Sequence, residues 1–214
     1  MSPRRAAALR GAGDVELRDH LIAVAARLIA RHGAAGLTVR RIAREARVAD
    51  GVLYNHFADK EELLAHALQA HVAAAERTLE PPPPPGSGTL DENLRAHIAH
   101  GLALHAAILP AFAGLLTEPQ VLARFAALPG GGPPSVPERL AAQLRAEQEL
   151  GRVRRGVNVE VAATVISGAC HELVMAHLLQ RAEEPLRVPP GFVEDLAGTV
   201  LDGIRADGPT ATKG

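Results

Sequence analysis

Apolar positions along the chain recur at helical spacing. Leu17, Leu21, Val24, Leu28 and Ile29 return every three or four residues, with Arg18, Asp19, Arg27 and Arg31 between them. This pattern predicts a first helix over about 15–31, closed by Gly33. A second helix opens at Thr38, a residue type that caps helix N-termini, and turns Val39, Ile42, Ala43 and Ala46 inward and Arg40, Arg41 and Arg44 outward. A turn at Arg47-Val48 leads to a third helix over about 50–56. Asp59 caps a long fourth one, about 60–80, with Leu63, Leu64, Ala67, Leu68 and Val72 on one face. The prolines at 81–85 and the Gly-Ser-Gly after them cannot continue it. Further helices are expected at 89–108, 136–150, 158–181 and 190–205, with short helical pieces at 110–117 and 119–128 and a loop at 129–134. No segment shows the period of a strand, and no internal repeat occurs. The expected fold is all-α: a three-helix head over 15–62, joined through its long fourth helix to a helical body over 63–206. Residues 1–14 are expected to be a flexible basic arm and 207–214 a flexible tail.

Composition supports helices. The chain has 214 residues, is 47% hydrophobic and rich in Ala, and has only five aromatic rings, Tyr54, Phe57, Phe112, Phe125 and Phe192. No uninterrupted apolar run approaches the roughly 18 residues of a membrane span, so no membrane partner is expected. The first fourteen residues hold two early arginines but no long apolar segment, and no signal peptide is expected. Cys170 is the single cysteine, which excludes an internal disulfide and fits a reducing cytoplasm. Net charge is −1, but its distribution is uneven. Residues 1–60 hold eleven basic against six acidic groups, a balance of +5, and the remainder balances at −6. A basic head on an acidic body suits a head that meets phosphate. Arg4, Arg5 and Arg10 give the arm a minor-groove candidacy; the bland alternative is a disordered start.

Residues 38–60 carry the chemistry. A helix that reads DNA must enter the major groove while its neighbours grip phosphates. Small residues, Ala43 and Ala46, let the second and third helices pack steeply, and Ile42, Val48, Leu53 and Phe57 form the apolar wedge between them. Gly51 lets the backbone come close to DNA. Tyr54, His56 and Lys60 are expected on phosphates, with Thr38 and Arg40 counted beside them; the N-terminal amides of the fourth helix favour the same anion. Val52 and Asn55 are the base-edge candidates, a Val for a thymine methyl and an Asn for adenine.

The pattern T-V-R-x-I-A-x-E-A followed by V-x-x-G-x-L-Y-x-H-F-x-x-K-E-x-L resembles the TetR family of bacterial transcriptional regulators. It is carried by Thr38, Val39, Arg40, Ile42, Ala43, Glu45, Ala46, Val48, Gly51, Leu53, Tyr54, His56, Phe57, Lys60, Glu61 and Leu63. Two positions depart from it. Arg47 stands where the family usually has Gly; a left-handed backbone there would cost a non-Gly residue about 1 kcal/mol, and Arg47 could recover some of that on a phosphate. Ala49 stands where Ser or Thr is usual, leaving Asp50 as the expected cap.

The resemblance implies a repressor that binds double-stranded palindromic operator DNA as a homodimer and is released by a small-molecule effector. The last two predicted helices look like the family's dimerisation pair, with Val165, Leu173, Phe192, Leu196 and Val200 on apolar faces and Gly168, Ala169, Gly198 and Gly203 permitting close approach. Candidate effector contacts are His97, His105, Phe112, Phe125, Thr164 and His171. With three Phe and no Trp or Tyr, the body suits an aliphatic rather than an aromatic cationic ligand. Metal sensing is disfavoured: His171 and His177 lie about 240° apart around a helix, and His97 and His100 lack a third ligand nearby. No cofactor is expected, and no nucleophile elbow, phosphate loop or dinucleotide fingerprint points to an enzyme. The alternative reading is a helical enzyme or scaffolding module whose N-terminal hairpin is structural.

Overall fold

The structure is a computed structural model that describes residues 3–132, 136–180 and 186–202, with side chains from residue 13 onward. Every regular element among these residues is a helix: α1 (Pro3–His32), α2 (Val39–Ala46), α3 (Asp50–Leu53), α4 (Lys60–Thr78), α5 (Leu90–Leu115), α6 (Pro119–Ala127), α7 (Val136–Glu149), α8 (Val159–Leu179) and α9 (Phe192–Asp202). Packing divides the chain into two compact units, Met1–Leu79 with Ala107–Pro134, and Glu80–Ala106 with Ser135–Gly214. The first unit thus combines the expected head and α4 with a later segment.

Four elements differ from the sequence expectation. Residues 3–14 are helical rather than a flexible arm. Pro3 stands in the first turn, where its missing N–H has no partner to lose, and Ala6, Ala7, Ala8 and Leu9 propagate a helix well. The side chains of Arg4, Arg5 and Arg10 lie outside the described residues, as do Gly203, Ile204 and the 207–214 tail. Helix α5 runs unbroken through Pro110, where a break was expected. Exposed Pro110 loses one backbone bond, but Ile108, Ala111 and Leu115 around it are buried, so packing holds the turn. Helix α3 closes after Leu53 instead of near 56. Finally, α5 and α8 are long and apolar enough to cross a membrane, although no unbroken apolar run showed it. Polar residues interrupt both, yet Ala and Leu keep the average high. Their buried faces, with Leu94, Ile98 and Leu102 on α5 and Ala163, Ile166 and Val174 on α8, fit core helices.

In the first unit α1 packs along α4, burying Leu21, Val24, Ala25 and Leu28 with Leu63, Leu64, Ala67 and Leu68. Each buried Leu or Val among them contributes roughly 1.5–3 kcal/mol. Helix α6 lies on α4 through Val121 and Phe125. Gly114 passes close to the α1–α2 loop; a Cβ there would stand 3.1 Å from the Ala35 amide nitrogen.

In the second unit α7 packs on α8, with Leu140, Ala141 and Leu144 buried on one and Val159, Ala163 and Ile166 on the other. Glu147 is 1% exposed. Its Oε1 accepts from Asn93 Nδ2 at 2.9 Å and from the Gly86 amide at 3.0 Å, and its Oε2 pairs with Arg152 Nε at 3.1 Å. Arg152 also donates to the Gly88 carbonyl at 3.1 Å. One buried carboxylate therefore ties the proline loop, α5 and the α7–α8 connection together. Cys170 is buried with its thiol 3.9 Å from the Ile98 carbonyl, and burial pushes that thiol up to about 11, away from reactivity.

Removing the Glu147 carboxylate strands the Gly86 amide, leaves Asn93 Nδ2 only the Pro84 carbonyl at 3.4 Å, and takes the ion-pair partner from Arg152. Glu147→Ala should cost about 3 kcal/mol in urea unfolding; a loss below about 1 kcal/mol would show the network to be dispensable.

Burial holds His71, His97 and His105 below the ordinary value of 6.5, opposed by hydrogen bonding to the backbone. A histidine whose folded form resists protonation stabilises fully above the unfolded value and loses that contribution as pH falls. Stability should therefore be level above pH 7 and decline below about 6.5. Unfolding midpoints across this range check it, and His105→Gln should flatten the decline.

Candidate nucleic-acid interface

The interface is built from two short helices and the turn between them. Thr38, extended at φ −110°, caps α2 by accepting from the Arg41 amide at 3.2 Å. Ile42, Ala43 and Ala46 are buried, while Arg40 and Arg44 are exposed. The helix ends in a left-handed residue: Arg47 sits at φ 59°, ψ 40°, the one non-Gly residue with positive φ among the described residues. Its amide bonds the Arg44 carbonyl at 3.3 Å, and the Val48 amide bonds the Ala43 carbonyl at 3.0 Å. This is the Schellman arrangement, with Arg where Gly is the usual occupant.

Ala49 then caps α3 with no side-chain hydrogen bond. Asp50 is the first helical residue and does not replace the missing cap, which corrects the sequence expectation. The cap position is Ala49, whose side chain has no acceptor, so the first amides of α3 gain no side-chain cap. The chain beyond Leu53 tightens into turns, with the Asn55 amide bonding Val52 at 3.2 Å and the His56 amide bonding Leu53 at 3.1 Å. Leu53 and Phe57 are buried at 2% and 3%, and Tyr54 between them is 60% exposed. The wedge thus faces the core and the tyrosine faces solvent. Asn55 and Gly51 are exposed, and Val52 and His56 are half-buried.

Behind the wedge stands a contact set that the sequence did not reveal. The Arg18 guanidinium lies 4.8 Å from the centre of the Phe57 ring, bonds His66 Nε2 at 2.8 Å and approaches Glu62 at 3.6 Å. Burial, then the Arg18 charge, lowers His66 from its usual value, and Glu62 opposes them. His66 is accordingly an acceptor for Arg18, and α1 and α4 hold the reading turn from behind. No sequence spacing relates 18, 57 and 66; only the packing of α1 on α4 does.

Two concavities flank the turn. One, of about 550 Å³, is lined by Thr38, Arg40, Arg41, Arg44, Val48 and Asp50. The other, of about 580 Å³, joins both base-edge candidates, Val52 and Asn55, to His56 and to Asp14, Val15 and Arg18 of α1. Arg41 and Arg44, outside the expected contact set, therefore line the same surface as Thr38 and Arg40. None of Arg40, Arg41, Arg44 and Arg47 has a carboxylate at ion-pair distance among the described residues. Lys60 is different: its ammonium lies 2.9 Å from Glu118.

The expected effector residues fall into separate groups. Phe112 and Phe125 belong to the first unit, with ring centres 5.6 Å apart. His105 and His171 meet edge-to-face at 5.9 Å in the second. His105 is buried with Nδ1 2.7 Å from the Gly101 carbonyl, and His171 is exposed. His97 Nε2 is buried without a partner. Thr164 is exposed and donates to the Glu160 carbonyl at 2.8 Å. A cavity of about 110 Å³ in the second unit is lined by Leu90, Leu94, Leu144, Arg152 and Val157. Val200, assigned above to dimerisation, also lines it. Of the other dimerisation candidates, Val165 is 54% exposed and Leu173, Phe192 and Leu196 are half-buried. No group of three metal-ligating residues occurs among the described residues.

Residues 21–67 match the family model described as bacterial regulatory proteins, tetR family. The TetR family transcription regulator SCO0332 is a solved structure similar over 89% of this chain and 100% of its own, at 25% identity and a TM-score of 0.58. The fatty acid degradation regulator FadR of Bacillus halodurans covers 89% of this chain and 97% of its own, at 22% identity and a TM-score of 0.59. FadR of Bacillus subtilis, solved in complex with stearoyl-CoA, covers 87% and 98%, at 19% identity and a TM-score of 0.55. No curated protein matches.

Glycine adopts the Arg47 conformation without the Cβ penalty. Arg47→Gly should therefore raise stability by up to about 1 kcal/mol, read as a higher unfolding midpoint. A lowered midpoint would mean that the arginine side chain makes a compensating contact in the free protein.

Proposed function

We propose that this chain, which belongs to the tetR family of bacterial regulatory proteins, is a cytoplasmic repressor that binds a palindromic operator as a homodimer and is released by a small-molecule effector. The observation that carries this reading is the exposed face of α2, its left-handed turn and α3. Arg40, Arg44 and Arg47 stand there without acidic partners among the described residues, beside exposed Tyr54 and Asn55. Unpaired arginines around a steep turn fit phosphates on both sides of a major groove. Thr38, Tyr54 and His56 join them as phosphate contacts. Gly51 keeps the backbone close, and Ala49 and Asp50 shape the approach. Val52 and Asn55 read base edges.

The dimer is proposed from α8 and α9. Val161 and Val165 are 58% and 54% exposed, and they share one side of α8 with Thr164, Gly168 and His171, all exposed. That stripe, continued by Leu173, Phe192, Leu196 and Val200, suits burial against a second copy. It would set two heads on half-sites about 34–36 Å apart. In this scheme residues 15–62 are the reading head and 63–206 the effector and dimerisation body.

The effector is proposed to be largely aliphatic. The body has no Trp or Tyr, and one solved structure of similar fold carries stearoyl-CoA. A long-chain acyl-CoA is the first compound to try, with His97 and His105, both in the second unit, as the contacts to vary first.

A mobility-shift series over duplexes tiling the DNA around its own gene tests the reading. One duplex should bind selectively and with strong salt dependence; equal, weak binding everywhere would sink it. Tyr54→Phe should weaken selected and random duplexes alike. Asn55→Ala should cost about 1–3 kcal/mol on the selected duplex and little on random DNA.

A further inference from the structure

Helices α4 and α6 are joined by two crossed ion pairs. Asp59 caps α4, accepting from the Glu62 amide at 2.9 Å, and Lys60 is the first helical residue after it. Helix α6 answers both. Its Arg124 forks onto the Asp59 carboxylate at 2.8 and 2.6 Å, and its cap residue, Glu118, holds Lys60 Nζ at 2.9 Å. The Arg124–Asp59 fork is bidentate and supports a helix cap, which accounts for it structurally. The Lys60–Glu118 pair also joins the two helices but supports no cap.

Glu118 makes no side-chain cap bond to its own helix. Its backbone is held independently, by the Leu115 carbonyl at 2.9 Å, with Leu115 fully buried. The carboxylate is therefore aimed at Lys60 from a fixed base. Lys60 in turn opens α4, immediately after the reading turn. Phosphate oxygens and a carboxylate present the same anionic acceptors to one ammonium, and Lys60 cannot serve both fully. The two side chains are 28% and 22% exposed, so water and salt weaken their pair enough for a phosphate to displace it. When Lys60 leaves, Glu118 remains at the N-terminus of α6, where a negative charge is favoured.

We propose that Glu118 is a built-in competitor of DNA phosphate for Lys60, which lowers the grip of the head on any duplex. The inference rests on the DNA-binding reading above. Its consequence is selectivity: weakening a contact that every sequence offers leaves more of the binding to base edges.

The test uses random-sequence duplex DNA and fluorescence anisotropy over about 50–200 mM salt. Wild type, Glu118→Gln, Lys60→Ala and the double variant form a cycle. Glu118→Gln should bind about threefold or more tighter at low salt, with a salt slope steeper by about one ion. In the Lys60→Ala background the same change should do nothing. Unchanged binding by Glu118→Gln would overturn the proposal. So would a gain that persists without Lys60, since that is only the removal of a negative charge near DNA. Glu118→Asp keeps the charge but shortens the reach. It should also tighten binding, and it stands in if the Gln variant does not fold. If wild type binds no duplex at any salt, the DNA-binding reading itself fails. If wild type binds and these variants do not differ, only the competition fails.

Discussion

The interface depends on one backbone conformation, the left-handed Arg47 that closes α2. At φ 59° the chain reverses within a residue, and two hydrogen bonds, from Arg47 to Arg44 and from Val48 to Ala43, lock the reversal. Without it α3 could not cross α2 steeply enough to stand clear of the head. Glycine is the low-cost occupant of such a position, so an arginine there is a local strain of about 1 kcal/mol. The strain is tolerated because Ile42, Ala43, Leu53 and Phe57 are all buried behind the turn and fix its geometry from both sides. The same position then offers an exposed guanidinium with no acidic partner among the described residues.

The wedge is held from behind as well. Arg18 touches the Phe57 ring and bonds His66, so a charged residue on α1 contributes to the placement of the reading turn. Beyond the wedge, Asp59 and Lys60 tie the start of α4 to α6. Few of these contacts are worth much alone, since half-exposed ion pairs are weak. Together they surround a reading element whose α-helical part is only four residues long. A helix that short has no stability of its own and takes its shape from its neighbours.

The second unit uses its polar groups differently. Glu147, nearly inaccessible, gathers Asn93, Gly86 and Arg152 around one carboxylate, and Arg152 extends the set to Gly88. That arrangement fixes the proline loop, which has no regular structure to hold it. Helix α8 combines a buried side, with Ala163, Ile166, Cys170 and Val174, and an exposed side, with Val161 and Val165. Two neighbouring valines left exposed on one side of a helix form an apolar surface without a partner among the described residues. This is why the proposed dimer is placed there.

The sequence alone determined most of the helices and the helix–turn–helix between α2 and α3. Helical periodicity, Thr38 and Asp59 as caps, and the spacing from Thr38 to Leu63 are local properties, written by residues near one another in the chain. They located α2, α4, α7 and α8 to within a few residues. A left-handed backbone at Arg47 was raised only through the resemblance, since the family usually has Gly there, and the structure shows it. Local signals failed at Pro110 inside α5 and at the early end of α3 at Leu53, while the helical 3–14 segment was missed although its alanines favour a helix. Asp50 failed as a cap because one residue of register decides which amides a side chain can reach. What only the tertiary structure decided were the long-range partners. Arg18 with Phe57 and His66, Lys60 with Glu118, Asp59 with Arg124, and Glu147 with Gly86 and Asn93 are separated by dozens of residues. A charged side chain on a helix surface looks alike whether it meets water or a distant partner, and only the packing of one helix on another brings that partner within 3 Å or so.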